Sequence, residues 1–163
     1  MALNAYLKAK GQKSGDLHGS VTQKGRENSI MVIAWSHEII SPRDPATGLP
    51  TGKRMHKPFI IVKEVDKATP LLYNVLVNNE NVTTWEMQCW RPSATGAEVQ
   101  FYTVKLVNAN IASIHARMEN NKHPDLMKYA EYEEIAFTYQ KIEWHWNDGG
   151  IQAVDDWEAP VTG

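Results

Sequence analysis

Between His56 and Pro70 the chain writes a strand, a stop and a helix start in fifteen consecutive residues. Phe59 to Val65 is rich in β-branched and aromatic residues, the types that pack well on a pleated, half-buried surface. Thr69 is placed to accept a backbone hydrogen bond as an N-cap, and Pro70 suits the first helical position, where a missing N–H costs nothing. Leu71, Leu72, Val75 and Leu76 then recur at helical spacing until Asn78 and Asn79 end the segment. Elsewhere the pattern predicts strands near 2–10, 29–40, 58–65, 82–91, 98–116 and 132–147, with one short helix near 70–78. The chain therefore reads as mainly β.

The last two strand segments are too long to stay flat. At roughly 3.3 Å per residue they exceed the usual ~20 Å strand, so they must bend, and the polarity pattern marks where. Tyr102, Val104 and Leu106 are apolar at even positions, but after Asn108-Ala109-Asn110 the odd position Ile111 joins in. Ile135, Phe137 and Tyr139 are odd, whereas Ile142, Trp144 and Trp146 are even. Such phase changes signal bulges or an exchange of the buried face, the devices that close a sheet into a barrel or sandwich. A half-exposed strand with scattered aromatics is the plainer alternative.

Ile30 to Trp35 is apolar at every position, which predicts cover on both faces of that strand. One short helix cannot cover both faces of a small antiparallel fold everywhere. A neighbouring subunit is the natural supplier of the second cover; the helix packing over this strand is the alternative.

Composition narrows the class. The 163 residues are 42% hydrophobic and 22% charged, with a mean hydropathy of −0.45. These values suit one soluble domain over residues 1–163. The longest apolar run is too short for a bilayer, and Met1-Ala2-Leu3-Asn4 lacks the basic flank and apolar stretch of a signal peptide. The expectation is synthesis in the cytoplasm and no membrane insertion. Cys89, the single cysteine, lies beside Met87 and Trp90 in strand pattern and reads as a buried thiol.

Net charge is only −2, yet residues 1–63 carry +6 and residues 131–163 carry −7. A basic half and an acidic end permit a polyanion-binding surface or complementary faces that attract a second copy. The cations are dispersed, without a run of three or a nucleic-acid-binding motif, so the second reading is favoured. Two unlike complementary patches make a heterologous contact, which builds rings when it closes and filaments when it does not.

Ser41 to Met55 holds three prolines and two glycines in fifteen residues and reads as a projecting loop, a type of segment that is more often functional than idle. Arg43, Lys53 and Arg54 make it positive, suited to an acidic partner surface. Gly48 and Gly52 form no phosphate cradle, because Gly52-Lys53-Arg54 lacks the Ser or Thr that would meet magnesium. No catalytic or metal-binding constellation is evident. His18, His37, His56, His115, His123 and His145 are scattered and default to structural or surface roles. Glu133-Glu134 and Asp155-Asp156 alternate faces if they lie on strands, so they read as solvated or interface charge rather than an acid and base. No cofactor is expected. A carbohydrate-binding β-sandwich stays open, since exposed tryptophans stack on sugars, although Trp85, Trp144 and Trp146 mostly follow buried-strand periodicity. A small hydrolase with an unrecognised site is the enzyme alternative.

The chain resembles the Hcp (haemolysin-coregulated protein) family, the tube-forming proteins of bacterial type VI secretion. The resemblance is carried by Ala5-Tyr6-Leu7-Lys8, Val32-Ile33-Ala34-Trp35-Ser36, the loop from Asp44-Pro45 to Gly52-Lys53-Arg54, and the run from Lys57-Pro58 to Thr69-Pro70. Tyr102 to Leu106, Phe137 to Ile142 and Asp155-Asp156-Trp157 extend it along almost the entire chain. It implies a small closed β-barrel of two antiparallel sheets with one short flanking α-helix. It also implies six copies in a ring, and rings stacked into a tube inside a contractile sheath. The tube would be expelled behind a VgrG-type spike with effectors in its lumen, leaving the cell by the type VI system without a signal peptide. By the same resemblance the Ser41–Met55 loop, with Arg43, Asp44, Gly48, Gly52, Lys53 and Arg54, is the ring-to-ring contact, Ser36 is a lumen-wall position that meets cargo, and the subunit is structural rather than enzymatic.

Overall fold

Thirteen strands and one helix follow one another in the computed structural model, which describes residues 3–158. Ala2, at the start of the first predicted strand, and the terminal Gly163 lie outside the described residues. β1 (Asn4–Gly11) pairs with β8 (Val82–Pro92) and with the short strands β2 (Gly15–Asp16) and β3 (Ile30–Val32). From β8 the sheet continues through β9 (Glu98–Val107), β12 (Lys141–Trp146) and β13 (Ile151–Asp156), giving seven strands. A second sheet has the order β10 (Asn110–Arg117), β11 (Tyr132–Thr138), β7 (Phe59–Glu64), β4 (Ala34–Ser36). β5 (Ile39–Ile40) and β6 (Met55–His56) pair separately as the base of a hairpin. All these pairings are antiparallel.

The two sheets are joined by strands that leave one and enter the other. β9 passes into β10 through Asn108, which takes a left-handed backbone at φ 52°, and Ala109, whose N–H and C=O both pair with Val82. β11 passes into β12 through Tyr139 and Gln140, with the Gln140 N–H donating to Val107 O at 3.1 Å. These are the two places where the hydrophobic phase changes, and the cause is transfer between sheets. The predicted 29–40 strand breaks for the same reason: β3 belongs to the first sheet, β4 to the second, and Ile33 hands the chain across by donating to Val62 O at 2.8 Å. Hydrogen bonding among the described residues is that of two main sheets and the separate β5–β6 pair rather than one continuous ring of strands.

Between the sheets lies an aromatic cluster. Trp85 of the first sheet meets Phe59 and Phe137 of the second edge to face, with centroids 5.0 and 5.5 Å away, a geometry worth about 0.5–1.5 kcal/mol per pair beyond burial. Met87, Leu106 and Ile142 fill the same layer from the first sheet, and Ile61 and Ile135 from the second. Cys89 is buried, as its pattern predicts.

The helix α1 (Thr69–Val77) packs against β10 and buries Leu72 and Val75, whereas Leu71 faces solvent. Asn78 and Asn79 end it, the latter at φ 49°. Its start differs from the expectation: Thr69 is already helical, the cap position is Ala68, and no side chain caps it. The Thr69 hydroxyl turns inward, accepting from the Asp66 N–H at 3.1 Å and donating to Glu133 Oε1 at 2.8 Å. Glu133 is fully buried and ion-paired with the equally buried Lys63, whose ammonium also reaches Asp66 Oδ1 at 3.0 Å. Glu133 is thus an internal charge, not the solvated or interface charge expected of it; only Glu134 faces out. A carboxylate tolerates such burial when a cation and hydrogen bonds replace its lost hydration.

Candidate assembly surface

The Ser41–Met55 segment does project, but it is an ordered hairpin. Above the β5–β6 pair, Arg43 bridges to Pro50 and the Thr51 N–H donates to Pro42 O at 3.0 Å. At the tip the Asp44 carboxylate accepts from the Ala46 N–H at 2.8 Å, and the Gly48 N–H donates to Asp44 O at 2.8 Å. Gly48 takes φ 72°, a conformation that only glycine adopts without a Cβ penalty. Gly52 has open space around its Cα. Arg43 and Lys53 point to solvent and enter no ion pair among the described residues.

Arg54 departs from the reading of the loop as a uniformly outward-facing positive surface. Its Nε lies 2.6 Å from Asp155 Oδ2 and its Nη2 2.8 Å from Oδ1, with a further bond to Asp156 O at 2.9 Å. The fork clamps the hairpin to β13. Together with Lys63–Glu133, it neutralises part of the basic-half and acidic-end asymmetry inside one subunit. Asp155, expected to be solvated or interface charge, is half-buried and paired within the chain, and the Arg54 hydrogen bonds hold its carboxyl below the usual carboxylate range.

Behind the fork two of the six scattered histidines, His37 and His56, converge. His56 Nε2 is 2.7 Å from Asp155 Oδ2, His56 Nδ1 is 2.7 Å from the Tyr139 hydroxyl, and His37 Nε2 is 2.6 Å from the same hydroxyl. Trp157 packs on His56 and donates its indole N–H to Tyr139 O. Periodicity could not reveal this cluster, since its members come from four separate segments. The available signal was weaker: His37 and His56 flank the loop on its two sides.

A second surface lies along β3 and β4. Ile30 and Val32 are buried, but Met31, Ile33 and Trp35 remain 39, 51 and 42% exposed. Trp35 stands opposite the buried Ile61 and stacks on Phe59 at 5.5 Å, so Met31, Ile33 and Trp35 share no single face; they form an exposed apolar patch at the crossing from β3 to β4, and α1 packs elsewhere, against β10. Clefts of about 420 and 400 Å³ flank Ile33, one lined by Met31 and Val65 and the other by Leu3 and Trp90. Ser36 ends β4, exposed, with its Cα opposite Ile60. Of the tryptophans with buried-strand spacing, Trp85 is buried, while Trp146, beside Phe101 and Arg91 on the first sheet, is 39% exposed.

Among the described residues no three His, Cys, Asp or Glu groups are arranged to hold a metal ion. No described helix is long and apolar enough to cross a membrane. The surface therefore offers two unlike features on one chain, a basic ordered hairpin and an exposed apolar patch where β3 crosses to β4.

Comparison with known proteins is consistent along the whole chain. The family model described as "Type VI secretion system effector, Hcp" matches residues 6–146. The "Major exported protein" of Pseudomonas aeruginosa is 40% identical over 172 aligned positions, covering 100% of both chains. Among solved structures, an Hcp protein superposes with a TM-score of 0.90 at 30% identity, over 98% of this chain and 100% of its own. The secreted protein Hcp3 of Pseudomonas aeruginosa gives 0.79 at 32% identity, over 97 and 100%. The chain belongs to the Hcp family of type VI secretion proteins.

Proposed function

We propose that the chain is the structural subunit of a type VI inner tube: six copies close into a ring, rings stack, and the tube is driven out by a contractile sheath behind a VgrG-type spike with effectors in its lumen. In this reading the two sheets are the walls of a closed barrel, and export needs no signal peptide. The observation that carries it is the pair of unlike surfaces on one subunit. The partly exposed apolar patch of Met31, Ile33 and Trp35 at the β3–β4 crossing favours burial against a neighbouring copy. The hairpin, with Arg43 and Lys53 outward and Arg54 clamped at its root, is a stiff projection able to reach the next ring. Ser36, exposed beside Trp35, is assigned to the lumen wall.

Native mass spectrometry of the untagged protein tests the ring. The expected dominant species has the mass of six 18.5 kDa chains. A clean monomer or dimer at low micromolar concentration counts against the tube.

A further inference from the structure

The hairpin is held at its root by a hydrogen-bonded chain of four side chains, His37, Tyr139, His56 and Asp155. Asp155 is ionised beside Arg54 and can only accept, so His56 Nε2 carries a hydrogen. With a single proton on the ring, at Nε2, His56 accepts at Nδ1, and the donor facing it is the Tyr139 hydroxyl. Burial first, and the Asp155 charge second, raise the Tyr139 pKa, so the phenol keeps its single proton. With that proton committed to His56, the phenol oxygen accepts from His37 Nε2. The donor order runs His37 to Tyr139 to His56 to Asp155, and every facing donor has an acceptor.

One added proton can be absorbed. If it enters at His56 Nδ1, the Tyr139 O–H turns to His37, which must change tautomer to receive it. A second proton cannot. Both imidazoles would then aim N–H groups at one phenol oxygen, and the phenolic hydrogen would face no acceptor on either ring. The other groups around the cluster offer little relief. Arg54 is a cation already committed to Asp155 and Asp156 O, Phe59 stacks on His37, Trp157 covers His56, and Glu38 is paired with Lys57 on the exposed side.

We propose that His37, Tyr139 and His56 form an acid-sensitive latch: charging both imidazoles releases the hairpin root and, with it, the contact the hairpin makes with a second copy of the chain. The second half rests on the hairpin being the stacking element. His37 precedes β5 and His56 closes β6, so the latch grips both legs of the hairpin and ties them to the bend between β11 and β12 and to β13. Burial, and secondarily His56, lower the His37 pKa from its ordinary value. The unfolded or opened chain therefore binds more protons, and the latch weakens as pH falls from about 6.5 toward the lowered value.

Amide hydrogen exchange of the full chain at Ile39, Ile40, Met55 and His56, compared at about pH 7.5 and about pH 5.5 after correction for intrinsic rates, tests this. Root protection should fall about tenfold or more at the lower pH, with β8 and β9 amides unchanged. His37→Gln, which can donate to the phenol but cannot charge, should keep its root protection at both pH values. Tyr139→Phe, which keeps the ring and loses the hydroxyl, should show an open root at both. Equal wild-type protection at the two pH values, or a pH-dependent loss surviving in either variant, overturns the latch. Pelleting of stacked rings from the same samples separates the two readings. Rings that never stack end the stacking reading while the root exchange still scores the latch, and tubes that persist with an open root overturn the coupling.

Discussion

Arg54 and Asp155 stand 101 residues apart in the chain and meet as a two-pronged ion pair, 2.6 Å from Nε to Oδ2 and 2.8 Å from Nη2 to Oδ1. The pair joins the root of the hairpin to β13, a strand whose Ile151 and Val154 are largely exposed and which has little apolar burial to hold it. Arg54→Lys keeps the charge and loses the fork. It should raise hydrogen exchange at Ile39, Met55 and Val154 with little effect on β8.

The same pair dictates an acid dependence. Asp155 is held below the ordinary carboxylate range mainly by Arg54 and then by the His56 N–H. A lowered carboxylate contributes stability that is complete above its unfolded pKa of about 3.9 and lost as pH falls through the folded value. In urea titrations at about pH 5 and about pH 2.5, wild type should lose more stability on acidification than Asp155→Asn; equal losses would count against a native-state role for this carboxylate.

Lys63→Met should destabilise the chain by about 3–5 kcal/mol, because it leaves Glu133 charged, buried and short of its cation. The double variant Lys63→Met with Glu133→Leu should recover most of that loss, since removing both charges removes the desolvation cost as well. Chemical denaturation of the four proteins of this cycle reads the coupling directly.

Arg43→Glu with Lys53→Glu is the clean test of the hairpin in stacking, because both side chains are exposed and neither is committed within the chain among the described residues. Hexamer mass should be unchanged while ring-to-ring association weakens on the order of tenfold or more. Undiminished tube assembly would move the stacking contact elsewhere. Including Arg54 in such a variant would confuse a stacking defect with a broken root.

Cys89 should be slow to react. Burial pushes its thiol up to about 11, so the thiolate fraction near neutral pH is roughly a hundredfold below that of an ordinary cysteine. Labelling by a thiol-specific disulfide reagent at neutral pH should be correspondingly slow in the folded chain and rapid in denaturant. Fast labelling of the native protein would show that the strand carrying it opens.

The strand, stop and helix between Phe59 and Val77 were legible because their causes are local: β-branched residues, a proline at the helix start, and an asparagine, Asn79, that accepts a left-handed backbone. The sheet-to-sheet bends at Asn108–Ala109 and Tyr139–Gln140 were legible for a related reason. A strand that changes sheets must change which parity it buries, and that shift is written in the order of apolar residues. The Thr69 cap was misread because the best acceptor for its hydroxyl proton, Glu133, is 64 residues away. β13 was missed because an exposed edge strand has no hydrophobic alternation to display.

The sequence by itself determined the mainly β class, the one helix, the hairpin as an interruption and the imbalance of charge, all of which depend on neighbours in the chain. Only the tertiary structure decided which charges stay available. It committed Arg54 to Asp155 and Lys63 to Glu133, gathered His37, His56 and Tyr139 behind the hairpin, and left Met31 and Ile33 exposed at the strand crossing. Pairings between residues about seventy to a hundred positions apart follow from the antiparallel order of strands and the corners between sheets. Composition and periodicity carry no information about which distant partner will stand opposite.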